Sequence, residues 1–478
     1  MMTMTTTSTS SSRPSSHHDD HPKLKPTNNS PSAPFCHLHP DILYRIASKL
    51  PPKEFARTSI LSSDWTWSAC PRLTFDAAAI CKCPREDLHL HGNFQRYINE
   101  VNGVLQKHQD NKVVETLEVK VDFVDSRLLA CHIDTWVQFA ETKNLTLDLN
   151  PKRFFDYDDL YVFPFQLLDQ GSILRLQHMQ LSFVSLKPPS QFKGFPNLRK
   201  LHLQTLHISR KDLENMLSRC STLEWLCIDR CRLNDALMVD TPLSRLLYLR
   251  VDYCRLTKIK FNAVNLATFE YDGEFIPIDL VQSFKLQSAN IRFTMAIFQR
   301  ALISLLNGLP SVQSLTLHIR LQYIQKQWLW DNPLKFINLK HLQWIIFVLP
   351  EDVDKVLYSL AFLRATPFIE KLEVHFAGCD LWLAEAGPCR KDLGQCKYVH
   401  LKHVWISGFR AARGQLEFLL HVIENAPALE SLLVEIGQYP PFNDWYGDDG
   451  PPIKEAMEIA RTCMRPILPQ IVTFDVKE

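Results

Sequence analysis

From Val114 onward one spacing of apolar residues keeps returning: apolar, two others, apolar, one other, apolar. Two copies are nearly complete, Leu223-x-x-Leu226-x-Ile228-x-x-Cys231-x-Leu233 and Leu246-x-x-Leu249-x-Val251-x-x-Cys254-x-Leu256. Looser copies start at Val114, Thr142, Leu198, Leu266, Val312, Leu339, Ile369, Leu401 and Leu429. Counted from Leu198 the intervals are 25, 23 and 20 residues, then 46, then 27, 30, 32 and 28. The gap of 46 predicts a degenerate copy near Leu286, with Ala289 and Ile291, and a poorer one near Ile173 fills the earlier gap. A short alternating strand buries every second side chain, but its edge hydrogen bonds are met only by a neighbour, so such copies have to stack. The segments between them read as helices. Ser209 and Asp212 form a capping pair ahead of Leu213, Met216, Leu217 and Cys220 on one face, and Leu416, Leu419, Leu420 and Ile423 form one stripe over 415–425. The predicted unit is strand, loop, helix and return. This gives an α/β fold with parallel strands, uneven curvature and protruding loops.

This spacing, with cysteine five positions after the second apolar residue in the two best copies, resembles the leucine-rich repeat and implies a curved solenoid over 112–436. Val404, Ile406, Gly408-Phe409, Glu417-Phe418, Asn425-Ala426-Pro427 and Leu429-Glu430 resemble the C-terminal repeat of plant F-box and leucine-rich-repeat proteins related to the FBD group. Residues 437–478 read as a Pro/Gly/Asp-rich loop, a helix near 453–463 and a last strand with Val472, Phe474 and Val476. This is expected to cap the solenoid, with Asp475, Lys477 and Glu478 limiting edge pairing.

Residues 35–76 carry a different pattern. Pro40 suits a first helical position, and Ile42, Leu43, Ile46 and Leu50 follow at helical spacing until Pro51 and Pro52 restart the chain. Phe55, Ala56 and Ile60 make a second helix, and Ser62, Ser63 and Asp64 offer capping chemistry for a third turn with Trp65 and Trp67. So short a module leaves apolar surface for a partner. The run Asp41-Ile42-Leu43, Ile46, Leu50-Pro51, Lys53-Glu54, Arg57-Thr58-Ser59-Ile60-Leu61-Ser62, Trp65, Pro71, Leu73 and Phe75-Asp76 resembles the F-box. That resemblance implies docking on the SKP-type adaptor of a cullin-RING ubiquitin ligase. The expected docking core is Ile42, Leu43, Ile46, Leu50, Pro51, Phe55, Leu61 and Trp65. Residues 77–111 read as a connecting segment.

Composition narrows the remaining classes. Lys+Arg 53 against Asp+Glu 52 leaves a net charge of +1, with no global footprint for nucleic acid or an anionic membrane. Apolar runs such as 344–350 are far shorter than the roughly 18–20 residues of a membrane helix. Thirteen cysteines without an apolar signal segment read as reduced thiols, which places the protein in nucleus and cytoplasm. Residues 1–34 are almost all Ser, Thr, Pro, His and Asn and are expected to be disordered; a plastid transit peptide is the alternative.

Cys81-x-Cys83 ahead of His89-x-His91 offers four zinc ligands, but at one-residue spacing, and no metal or other cofactor is expected. His17, His18 and His21 carry at most weak metal affinity. Cys227, Cys231 and Cys254 read as core or ladder thiols. The acidic groups at Asp156, Asp158 and Asp159 and at Asp448-Asp449 read as solvated loops. Trp328, Trp330, Trp382, Trp445 and Tyr446 are candidate contact aromatics. With 14 glycines and no phosphate loop or nucleophile elbow, an enzyme is not expected. The expected function is a non-catalytic adaptor that presents an unknown substrate protein for ubiquitin transfer. A small-molecule-dependent receptor on the same architecture and a ligase-independent scaffold are the alternatives.

Overall fold

A computed structural model describes residues 71–83, 92–107, 114–122, 126–139, 142–150, 160–294, 296–320, 335–378, 396–437 and 453–477, with Ile42, Ile46 and Lys49. The tail 1–34, His89, His91, the Asp156 and Asp448 groups, and the five loop aromatics lie outside these residues.

The described chain begins with strand β1 (Arg72–Asp76), helices α1 (Ala77–Cys81) and α2 (Asn93–Lys107), β2 (Thr116–Lys120), α3 (Ser126–Phe139) and β3 (Asn144–Asp148). Then follow β4 (Tyr161–Val162), α4 (Gln170–Arg175), β5 (His178–Ser182), β6 (Val184–Leu186), β7 (Lys200–Gln204), β8 (His207–Ile208), α5 (Arg210–Ser218), β9 (Trp225–Asp229) and β10 (Arg232–Val239). Next come β11 (Tyr248–Asp252), β12 (Arg255–Phe261), β13 (Thr268–Gly273), β14 (Ile278–Asp279) and β15 (Ser288–Phe293). The last stretch holds α6 (Phe298–Gly308), β16 (Ser314–Arg320), β17 (His341–Phe347), α7 (Leu360–Arg364), β18 (Lys371–Ala377), β19 (His403–Ser407), α8 (Arg413–Asn425), β20 (Ser431–Glu435), α9 (Ile453–Met464) and β21 (Thr473–Lys477).

Among the described residues one parallel sheet of 15 strands runs β1-β2-β3-β5-β7-β9-β11-β13-β15 and then β16 to β21 in order. Its register carries the apolar spacing across the whole sheet. Leu73, Leu117, Leu145, Met179, Leu201, Leu226 and Leu249 are successive cross-strand neighbours. The row continues through Phe269, Ala289, Leu315, Leu342, Leu372, Val404, Leu432 and Phe474. These side chains and the row two residues further on, Phe75 to Val476, belong to one continuous core, with Phe474 partly buried against it. A slip of one residue in any pairing would turn that strand's leucines outward.

The sheet passes both ends of the 112–436 span. Leu73 and Phe75, at the end of the F-box-like run, form the first inward pair of β1, and Asp76 accepts hydrogen bonds from the Ala78 and Ala79 N–H groups to start α1. Helix α2, within the 77–111 segment, buries Tyr97, Ile98 and Val101 in the common core. The fifth strand lies at His178–Ser182, whereas Ile173, the expected start of that copy, belongs to α4. Met179 occupies the leucine position there, and this blurs the spacing.

The return path also differs from strand, loop, helix. A second parallel sheet, β14-β12-β10-β8-β6-β4, backs the middle of the long one. From Leu226 to Leu249, Phe269 and Ala289 the inner strands recur every 20 to 23 residues and return through β10, β12 and β14. Ala289 and Leu315, 26 residues apart, and Val404 and Leu432, 28 apart, are joined through α6 and α8. A strand rises about 3.3 Å per residue and a helix 1.5 Å, so a short repeat covers the same return distance only when extended.

At the ends of β5, β7, β9 and β11, Phe183, Thr205, Arg230 and Tyr253 take φ of 58, 49, 50 and 47°. Their N–H groups donate to Gln204, Asp229, Asp252 and Asp272 of the next strand, which holds each chain reversal against its neighbour. One step further, the Cys231 N–H donates to Cys254 Sγ at 3.4 Å, and Cys231 and Cys254 Sγ lie 3.6 and 3.5 Å from the carbonyls of Leu203 and Ile228. These thiols act as the side-chain ladder between repeats.

Candidate binding face

The helices and the second sheet cover one side of the long sheet, so the alternate side chains of each strand point to its open face. In β3 to β7 these positions are Asn144, Thr146, His178, Gln180, Lys200 and His202, and they border a cleft of about 390 Å³ whose far wall is Trp225. Trp225 is fixed in place: its ring stacks on Tyr248 with centroids 5.3 Å apart and planes 1° apart, and His202 meets it edge-on at 5.9 Å. Burial, then Lys200 and Arg199, hold the His178 imidazole below its ordinary pKa; burial does the same to His202, against the neighbouring Asp229.

Further along, the strand ends carry Asp229, Asp252 and Asp272, each with an arginine. Arg230 lies 2.9 Å from Asp229, Arg250 contacts Asp252, and Arg292 lies 3.5 Å from Asp272. Cys227 stands among these groups on the open face, next to His202 and Arg250 in the cross-strand register, rather than in the core or ladder. It is 5% exposed, and burial pushes its thiol up to about 12, so it is no nucleophile.

Towards the ends of β17 to β19 the open face is closed over the row Ile345, His375 and Ser407. Glu373 is 4% exposed and His375 is fully buried. The Glu373 carboxylate lies 3.1 Å from His341 Nε2, accepts from Gln343 Nε2 at 3.0 Å, contacts Lys371 and lies 3.5 Å from His375 Nε2. Burial favours its neutral form, yet the hydrogen bonds from His341, His375 and Lys371 outweigh it and hold the carboxyl well below the usual range. Ser407 Oγ lies 2.8 Å from His375 Nδ1, which completes a serine, histidine and carboxylate series. Ser407 is 1% exposed, so this series, with His341 and Gln343, ties three strands together and leaves no room for a substrate at the hydroxyl.

Of the expected docking residues, Ile42 and Ile46 are helical and 47 and 37% exposed, and the Lys49 N–H donates to the Ile46 carbonyl at 3.0 Å. Leu43, Leu50, Pro51, Phe55, Leu61 and Trp65 lie outside the described residues. Cys81 is buried, with its Sγ 3.3 Å from the Asn93 carbonyl, and among the described residues no three His, Cys, Asp or Glu side chains gather as metal ligands. No described helix is long and apolar enough to cross a membrane. The open-face residues were hidden in the sequence as the unconstrained positions of the repeat. The one available signal was the run of large polar and aromatic types there: His178, Lys200, His202, Trp225 and Tyr248.

Three curated relatives from Arabidopsis thaliana are similar to the chain. The F-box/FBD/LRR-repeat protein At1g13570 is 26% identical over 419 residues, 83% of this chain and 89% of that one. The F-box/LRR-repeat protein At3g58900 is 27% identical over 246 residues, 50% of this chain and 72% of that one. The F-box/FBD/LRR-repeat protein At4g26340 is 23% identical over 410 residues, 82% of this chain and 90% of that one. A family profile, the At1g61320/AtMIF1 LRR domain, matches residues 104–446. With that match over most of its length, on a sheet whose inward rows repeat the leucine spacing from β1 to β21, the chain belongs to the At1g61320/AtMIF1 LRR-domain family and is similar to plant F-box/FBD/LRR-repeat proteins.

Proposed function

We infer that this chain is a substrate-recognition adaptor of a cullin-RING ubiquitin ligase. The observation that carries the reading is similarity to an F-box/FBD/LRR-repeat protein over 83% of this chain and 89% of that one, with an F-box-like run over 35–76 ahead of an open parallel sheet. In this reading Ile42, Leu43, Ile46, Leu50, Pro51, Phe55, Leu61 and Trp65 dock on the SKP-type adaptor, which links the chain to a cullin. The solenoid holds a substrate protein. No bond chemistry is asked of the chain itself: holding the substrate near a charged ubiquitin carrier raises its effective concentration, and the stiff sheet sets the distance. Such an adaptor would work in nucleus and cytoplasm.

The test is a pull-down of full-length protein with the SKP-type adaptor, beside a Leu50→Asp, Trp65→Ala double variant whose fold is checked by circular dichroism. Binding by the parent and its loss in the folded variant support the adaptor reading. A folded parent that does not bind removes it and leaves a leucine-rich-repeat scaffold.

A further inference from the structure

Among the described residues, the open face offers an accessible site in the cleft across β3, β5, β7 and β9. Over β17 to β19 the row Ile345, His375 and Ser407 is filled and buried, at 6, 0 and 1% exposed, while the more exposed His341, Lys371 and His403 are engaged with Glu373, Glu373 and Ser431. Around β9 to β15 the aspartates are matched with arginines. The cleft across β3, β5, β7 and β9 is different. None of its lining side chains is a carboxylate, and Lys200 is its one formal charge. Lys200 is exposed and makes no ion pair among the described residues, whereas its neighbour Arg199 lies 4.0 Å from Glu224. His178 puts an imidazole beside it in the cross-strand register, and Asn144 and Gln180 add side-chain amides elsewhere in the cleft. A cation with neutral hydrogen-bonding groups around it favours an anion and rejects a second cation. On the next strand, directly in register with Lys200, stands the Trp225 indole, stacked on Tyr248. A flat apolar surface already held in place loses no side-chain freedom when something is laid against it.

We propose that this cleft receives an anionic side chain of an extended substrate segment at Lys200, while an aromatic side chain beside it lies against Trp225. The proposal rests on the solenoid being the substrate-binding part. The anion is a carboxylate or a phosphoryl group, since both present oxygens to an ammonium. The volume of about 390 Å³ suits side chains rather than a folded domain, and the flanking segment would continue across the open face.

The experiment uses the full-length chain and three fluorescent peptides that share a Gly/Ser frame with a central tyrosine: one with glutamate beside it, one with phosphoserine, one with glutamine. Fluorescence anisotropy at low salt should show one or both anionic peptides binding about tenfold tighter than the glutamine peptide or better. The tighter of the two identifies the anion. Lys200→Gln should remove that preference, and Trp225→Ala should weaken all three peptides. Lys200 is exposed, so its variant should fold, which circular dichroism checks. Equal binding of the glutamine peptide, binding by none of them, or a preference that survives Lys200→Gln overturns the proposal. Adaptor pull-down on the same preparation separates the two readings: an intact adaptor complex with no peptide preference rejects the cleft alone, and a peptide preference without adaptor binding rejects the ligase role alone.

Discussion

At Glu373 the balance of burial and hydrogen bonding leaves a carboxylate charged inside the sheet. Removing the charge while its donors still face it should cost on the order of 2–3 kcal/mol. Its folded-state pKa lies below that of the unfolded chain, about 4.3, so the stabilisation is present above that pH and is lost as the pH falls through and below it. Glu373→Gln should therefore lower the urea midpoint clearly at pH 7 and by much less near pH 3. Histidines act over a different window. Burial, then nearby arginines, bring His318 to about 3 and His421 to about 4. The unfolded chain takes up protons near 6.5 and the folded one does not, so stability falls as the pH drops from about 6.5 to 4, by on the order of 2 kcal/mol for His421. His421→Gln should flatten that part of the urea-midpoint profile. Residues of this kind explain what the sequence hides. Leu226 and Ile228 announce themselves because every copy repeats them, but Glu373 and Trp225 sit at positions where the repeat accepts any residue.

Among the elements, helices are tied to their repeats by local devices. The Ser209 hydroxyl accepts from the Asp212 N–H at 3.1 Å, as the sequence pair implies, and Ser209→Ala should cost about 1 kcal/mol, read from the denaturation midpoint. Gly308, at the end of α6, packs so closely on β14 that a Cβ would meet the Ile278 carbonyl oxygen. The Leu280 N–H donates to the Gly308 carbonyl at 3.0 Å, so neither backbone is free to move away. Gly308→Ala should cost on the order of 2–3 kcal/mol by the same measurement. The strand positions were legible because alternation and register enforce each other across the sheet. The choice of strand or helix for the return was legible only in the interval: Arg232–Val239 and Arg255–Phe261 carry β-branched and charged residues without a clean helical stripe, and the 20- to 23-residue spacing leaves no length for a helix with two loops.

Taken whole, the described residues share one core but no layer that spans it other than the long sheet, and each repeat is supported mainly by its neighbours. A charge buried in the middle should separate the two flanks, whereas one at a sheet end should fray a single strand. Val251→Asp, at a side chain 0% exposed in β11, is expected to raise amide exchange in repeats on both sides. Val476→Asp, in β21, should raise it only near 431–477. The F-box resemblance was legible over 35–76, and the structure adds that its last residues, Leu73 and Phe75, already belong to the sheet.

The second sheet has a mechanical consequence. Where β4 to β14 back the long sheet, adjacent repeats are joined by two ladders of hydrogen bonds, whereas in the helix-backed flanks they share one ladder and side-chain packing. Tension applied along the stack would peel the flanks strand by strand and leave the double-laced centre, with the Lys200 and Trp225 cleft at its edge, as the last part to yield.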